Sequence, residues 1–431
     1  MNLGRFDKLR SSFELLSSNV AANAILFFGV YLLSRLISPS EFGHYAAFQA
    51  VILAIYPLLT LRYEYAIPVA RTGSTARALL VLSLLLSAAT TILLSAVALS
   101  LRECCLPSGW LSPAVAELVP LMGIAALAAS LASIYQLTAV RSGALRAMAV
   151  GRVLRAIGMT VVQVLLALVI VRGASSLIVG EIAANFGLAA LLAWASTRYF
   201  QTRPTFLTAR SAKKLWAAAK QFRAFAIVSV PHAVSHQTLM AIQGIAIGAL
   251  YGASAMGQYF LMRKVLFGTI GLVSTTLYQV CFSEASRAKG NHARLRQLWT
   301  YATGMLMAVT VPIALIFLLF GERIFVAVFG TDWATAGTLS MVAFPLIVME
   351  PIAAALAFMP AFLKQQPAAF GWSLTQNLVG IGSIWTIFLL GGRIEHAILV
   401  SSLAVAGVMT AYVIWLRAVS TLPLAQAAVA E

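Results

Sequence analysis

The chain has 431 residues, 61% of them hydrophobic and only 10% charged, with 30 Lys and Arg against 13 Asp and Glu and a net charge of +17. Soluble domains carry about 25% charged residues, so a water-facing surface of ordinary extent is excluded and the surrounding solvent is lipid. Backbone groups in lipid must satisfy one another. The long, non-alternating apolar runs do this as helices, not as a barrel.

Arg5, Lys8 and Arg10 precede the first apolar run, and Phe6, Leu9, Phe13 and Leu16 recur at helical spacing. This predicts an interfacial lead-in helix over 1–12. The run that follows is of spanning length with no A-x-A cleavage site, so it reads as a retained helix. On a criterion of about 20 apolar residues per crossing, the first half holds spans at 13–37, 42–66, 77–101, 114–139, 147–171 and 176–198. The second half holds spans at 223–250, 257–281, 298–320, 334–362, 367–390 and 397–417. Between them lies a basic segment, 199–222, whose Ser211–Trp216 stretch reads as a surface helix. The expected organisation is an N-terminal six-helix lobe over 1–198, a cytoplasmic linker over 199–222 and a C-terminal six-helix lobe over 223–431.

Polar residues on these spans are candidates for function, because an ionisable group in a spanning helix costs about 2.5–3.5 kcal/mol on insertion scales. The first span carries Asn19 and Asn23, four apart on one helical face, and Arg35 near its outer end. The second carries Arg62 and Glu64, which two-residue spacing sends to nearly opposite faces. On the seventh, His232 and His236 follow Pro231 at the same four-residue spacing, with no HExxH and no third ligand to make a zinc site. Gly244, Gly248 and Gly252 on that span permit close helix approach. Arg263 and Lys264 lie roughly 10 Å below the outer end of the eighth span, and Glu350 lies mid-way along the tenth beside Pro351. Inside the spans, Arg62, Arg263 and Lys264 thus face Glu64 and Glu350, which predicts a cationic cavity for an anionic headgroup.

Twenty-two of the 30 Lys and Arg fall on one set of alternating loops and five on the other. Such asymmetry is the orientation signal of a membrane protein and puts both termini in the cytoplasm. It also accounts for the positive charge without a nucleic-acid partner. Cys104, Cys105 and Cys281 have no metal-binding or disulfide spacing. The outer loops, 102–113 and 321–333 being the longest, hold no metal triad, nucleotide loop or paired carboxylates, so no enzyme, metal or cofactor is expected.

The halves echo each other. Leu36–Tyr45 follows the first span and Leu250–Tyr259 the seventh, with Gly-x-Tyr pairs at 43 and 257. Two like-oriented six-helix lobes related by a pseudo-twofold axis along the membrane normal follow, as in parallel-repeat transporters.

With those residues in view, Ser34-Arg35-Leu36-Ile37-Ser38-Pro39-Ser40-Glu41-Phe42-Gly43-His44-Tyr45 resembles a segment of the Wzx-type polysaccharide and O-antigen flippases. That family lies within the multidrug/oligosaccharidyl-lipid/polysaccharide (MOP) exporter superfamily. Arg62-Tyr63-Glu64-Tyr65-Ala66-Ile67 is similar to the end of the second helix in one branch, and Gly257-Gln258-Tyr259 with Arg263 to the opening of the eighth. Many relatives carry an acidic residue where this chain has Gln243, so ion coupling at that position does not carry over.

The resemblance implies alternating access by two six-helix lobes in the bacterial inner membrane. The cargo would be undecaprenyl-diphosphate-linked oligosaccharide, moved to the outer leaflet for O-antigen or exopolysaccharide synthesis. Arg62, Arg263, Lys264, Arg35, Asn19, Asn23, His232 and His236 are then the candidate substrate-binding residues. Glu64 and Glu350 are the candidates for coupling a proton or sodium ion. The expected partners are the bilayer and the lipid-linked oligosaccharide, and the expected state is a monomer. A cation-coupled drug antiporter of the same superfamily is the competing reading, and it requires acidic residues to dominate the cavity.

Overall fold

In the computed structural model, residues 3–105, 113–169, 172–200, 209–288 and 291–421 are described. Among them the structure is helical without strands. The helices are α1 (Leu3–Ser34), α2 (Pro39–Ile55), α3 (Gly73–Cys105), α4 (Pro113–Ser142), α5 (Leu145–Val169), α6 (Ala174–Phe200), α7 (Ala209–Gln221) and α8 (Val230–Tyr251). They continue with α9 (Ala253–Arg287), α10 (His292–Phe329), α11 (Ala334–Val342), α12 (Phe344–Ala355), α13 (Met359–Phe362), α14 (Gln366–Leu389) and α15 (Ile394–Val419). Among the described residues eight helices are long and apolar enough to cross a membrane, or nine if the two parts of α9, bent by 42° between Gly268 and Ile270, form one span. This is a polytopic all-α membrane protein, and its layout is consistent with twelve helices in two lobes. The chain divides into two compact units, Met1–Ala241 and Ile242–Glu431.

Two expected spans are broken, and proline is the physical reason in both. The span expected at 42–66 is helical only to Ile55. Pro57 lacks the N–H that an α-turn needs and crowds the preceding turn. The chain therefore tightens into a 3-10 turn at Tyr56–Leu58, passes through positive φ at Leu61 and Arg62, and resumes as a 3-10 turn at Tyr63–Ala66. The span expected at 334–362 is divided into α11, α12 and α13, the last two with proline in their first turns.

In the N-terminal unit, α1 packs on α5, α5 on α6, and α4 on both α3 and α6. Polar links fix these pairs. Ser87 and Ser130 join α3 to α4 through their hydroxyls at 2.5 Å. Arg141 Nη1 donates to the carbonyls of Ile67 (3.0 Å) and Ala70 (2.6 Å), pinning the chain after the broken second span to the end of α4.

The segment carrying the family resemblance has a structural logic of its own. Ser38 accepts the Glu41 N–H and Pro39 opens α2, a favourable helix start. Glu41 Oε2 in turn accepts the Ala174 N–H at 2.7 Å, satisfying an orphan donor at the start of α6. The related segment of the C-terminal unit does the same work with a different residue. Gln258 accepts the Ala336 N–H at 2.9 Å near the start of α11 and donates to the Asp332 carbonyl at 2.6 Å.

In the C-terminal unit, α9, α10, α12, α13 and α15 share a core built on Leu277, Leu298, Leu306, Ile352, Phe358 and Leu416. Trp299 Nε1 donates to the Val413 carbonyl at 3.0 Å across that core. α10 meets α11 so closely that a Cβ at Gly337 would lie 2.8 Å from the Gly321 carbonyl oxygen. Gly248 gives similar room to Met256 of α9, whereas Gly252 is a turn residue at φ +89° and does not extend that packing stripe.

Candidate functional site

The N-terminal unit carries a half-open cavity of about 590 Å³, within the roughly 300–1,000 Å³ usual for ligand sites. Five helices and the two 3-10 turns that follow α2 supply its walls. α1 contributes Asn19 and Asn23, α2 Gln49, α4 Ser133 and Gln136, α5 Arg152 and Arg155, and α6 Glu181 and Asn185. Tyr56 and Tyr65 come from the two 3-10 turns of the second span.

The helical register explains why these side chains converge. Asn19 and Asn23, and likewise Glu181 and Asn185, are four apart, and Arg152 and Arg155 three apart, so each pair shares a face. Arg152 Nη1 donates to Asn19 Oδ1 at 2.8 Å and Arg155 Nε to Asn185 Oδ1 at 2.8 Å. Asn23 Nδ2 donates to the Asn19 carbonyl at 2.8 Å. Tyr45 Oη donates to Glu181 Oε2 at 2.9 Å, and Gln49 Nε2 donates to Tyr45 Oη at 3.0 Å and to the same carboxylate. Among the described residues neither Arg152 nor Arg155 is in an ion pair. A guanidinium has five N–H donors, so a neutral amide oxygen on each leaves both charge and donors facing the void. Two arginines against one glutamate make the site net cationic.

The sequence-predicted residues divide. Asn19 and Asn23 are in this cavity. Arg62 does not line it but holds a residue that does: its guanidinium carbon sits 4.2 Å from the centroid of the Tyr65 ring. Glu64 is buried at 2% exposure, accepts a hydrogen bond from the Thr60 hydroxyl and does not line the cavity. Arg35 is exposed in the turn after α1, 5.7 Å from the Tyr31 ring centroid.

In the C-terminal unit, Arg263 and Glu350 form a bidentate pair, Nη1–Oε2 and Nη2–Oε1 both at 2.8 Å, with the guanidinium 4.1 Å from the Phe267 ring centroid. The void beside them, lined also by Gln243, Tyr259 and Ser401, is about 10 Å³, room for about one water. Arg263 is thus brought to Glu350 and not to an open chamber. Lys264 Nζ lies 5.5 Å from the Phe260 ring centroid, on another face of α9. The side chains of His232 and His236 lie outside the described residues.

Sequence reasoning missed Gln49, Gln136, Arg152, Arg155, Glu181 and Asn185. Arg152 and Arg155 are among the twenty-two basic residues assigned to loops, although they lie inside the expected 147–171 span, and the structure seats them in the second and third turns of α5. Glu181 lies inside the expected 176–198 span and carried the same intramembrane signal as Glu64 and Glu350.

No curated protein sequence matches the chain. Among solved structures, the fold is similar to an inward-facing multidrug resistance MATE family transporter of the MOP superfamily, with TM-score 0.69 and 13% identity over 94% of both chains. The lipid II flippase MurJ in an inward closed conformation gives TM-score 0.69 and 11% identity, over 97% of this chain and 89% of that one. A MOP superfamily transporter from Pyrococcus furiosus gives 0.61 and 12%, over 95% of each. At such identities these likenesses establish the fold. Residues 32–338 match the model of a family described as polysaccharide biosynthesis protein. With most of its length inside that match, the chain belongs to the polysaccharide biosynthesis protein family, a multi-pass membrane protein whose fold is similar to that of these MOP superfamily carriers.

Proposed function

We propose that this transporter flips undecaprenyl-diphosphate-linked oligosaccharide from the cytoplasmic to the outer leaflet of a bacterial inner membrane by alternating access, both of its termini being cytoplasmic. The observation that carries the reading is the N-terminal cavity, which Arg152 and Arg155 line without a carboxylate partner among the described residues. Guanidinium forks match phosphate oxygens in pairs and stay charged at any physiological pH. The surrounding amides of Asn23, Gln49, Gln136 and Asn185 offer both donors and acceptors, the complement that sugar hydroxyls need. Asn19 and Asn23, which line this cavity, serve in this reading as substrate-binding amides. Arg62 acts through Tyr65, and Arg263, Lys264, Arg35, His232 and His236 remain secondary candidates.

Energetics favour the direction. An inside-negative potential helps each negative charge outward by about 2.3 kcal/mol per 100 mV. A coupling proton or sodium ion would assist the return of the emptied cationic site, with Glu64 and Glu350 its candidate carriers. Transport by a Glu64→Gln/Glu350→Gln variant at wild-type rate, over a range of pH and sodium, would remove both from that role.

Cells lacking the protein test the reading. They are expected to lose surface polysaccharide and to accumulate lipid-linked oligosaccharide on the cytoplasmic leaflet. Intact polysaccharide together with new sensitivity to cationic drugs would instead establish the antiporter.

A further inference from the structure

α7 presents a charged face that the transport cavity does not use. Its thirteen residues, ARSAKKLWAAAKQ, contain four cations and no acid. One side is committed to the fold. Ala218 is 3% exposed in a cluster with Tyr63, Ala76 and Leu79, and Tyr63 Oη donates to the Ala219 carbonyl at 3.2 Å. The other side is open. Lys213, Lys214 and Lys220 are exposed, and between them Trp216 is 73% exposed. Positions 213, 216 and 220 share a helical face, so an indole is flanked along the axis by two ammonium groups. Among the described residues none of the three lysines is in an ion pair.

The packing of α7 on α3 bears on the depth of this face. At 33 residues that helix is about 50 Å long, well beyond a hydrocarbon core of about 30 Å. α7 rests on its opening turns, at Ala76 and Leu79, within about 9 Å of the helix start at Gly73 along its axis. Arg71 and Arg77 are exposed at the same end of α3. Tryptophan favours headgroup depth and lysine stems reach outward from it.

We infer that the Lys213–Trp216–Lys220 face of α7 is a docking surface for anionic phospholipid headgroups of the adjoining leaflet. Polybasic segments bind such leaflets with about a fivefold gain per lysine, on the order of 100-fold for three. The contact would have a route into the protein. Tyr63 ties α7 to the 3-10 turn whose Tyr65 lines the cavity, so headgroup binding would steady one wall of the transport site.

The test uses the full chain in vesicles of phosphatidylcholine alone or mixed with phosphatidylglycerol. The Trp216 signal is taken as the difference in emission between the protein and its Trp216→Phe variant. On phosphatidylglycerol it should shift to the blue and lose acrylamide quenching severalfold. Molar salt, which shortens screening to about 3 Å, should reverse this, as should Lys213→Gln/Lys214→Gln/Lys220→Gln. Equal quenching on both vesicle types would overturn the inference, as would full shielding in lipid-free detergent, which would mean a contact within the protein. The comparison of lipids needs only the native chain and the Trp216→Phe variant, so it stands whether or not the triple variant folds. It is independent of what the cavity carries.

Discussion

Arg152 and Arg155 each hold their place through one amide oxygen, Asn19 and Asn185 respectively. Replacing either by Gln keeps a donor for that amide but removes the charge. A charged hydrogen bond contributes about 1.5–3 kcal/mol, so Arg152→Gln or Arg155→Gln should lower export roughly 10- to 100-fold at unchanged protein level, read by surface polysaccharide against an immunoblot. Arg263 and Glu350 obey different logic. Each neutralises the other, so Glu350→Ala strands a cation. Both side chains are 27% exposed, which brings the cost below the ~3–5 kcal/mol of a fully buried pair, to about 2 kcal/mol. Arg263→Met/Glu350→Leu should recover most of that loss in a thermal-shift measurement; a double variant less stable than Glu350→Ala would contradict the pairing. The asparagine pair of α1 was legible because i, i+4 spacing is a property of sequence. The arginines of α5 were passed over although the expected 147–171 span contains them, because counting them with the basic loop before that span hid their place on a spanning helix. Arg152 is the eighth residue of α5.

Elements were legible where apolar length decides and illegible where proline does. All twelve expected spans meet helix, yet the second breaks after Ile55 and the tenth falls into three pieces. Pro57, Pro345 and Pro360 were in plain view, but a criterion based on hydrophobic length does not weigh a missing N–H. The left-handed turn at Leu61 and Arg62 had no signal, since neither residue favours positive φ; tertiary bonds such as those of Arg141 hold the segment that follows. At the α10–α11 contact the backbone itself is the obstacle. A Cβ at Gly337 would lie 2.8 Å from the Gly321 carbonyl oxygen and 3.0 Å from the Glu322 amide nitrogen. Overpacking of this kind costs about 1–3 kcal/mol, so Gly337→Ala should lower the melting temperature in detergent, whereas Gly304→Ala, which meets nothing within 4 Å, should not.

At the scale of the molecule, charge sets orientation. The 22-to-5 division of Lys and Arg over alternating loops predicts that single cysteines at Ser74 and Arg287, in a background lacking Cys104, Cys105 and Cys281, are labelled by an impermeant maleimide only after the membrane is opened. Cysteines at Arg172 and Arg393 should be labelled in intact spheroplasts. The family and the helical class were readable from hydropathy and three short motifs, because a lipid solvent leaves the backbone few choices. The chamber was not readable, because it draws on α1, α2, α4, α5 and α6 together and no local pattern records which of their faces meet.

One asymmetry has a bearing on how such proteins diversify. The amino-terminal unit keeps its cations available around an open volume, while the carboxy-terminal unit has closed its arginine onto a glutamate with space for a single solvent molecule. On the proposed reading, the main recognition chemistry is gathered in one half. A lineage would then acquire a new glycan preference by exchanging side chains on five amino-terminal helices, with the Arg263–Glu350 pair of the other half left in place.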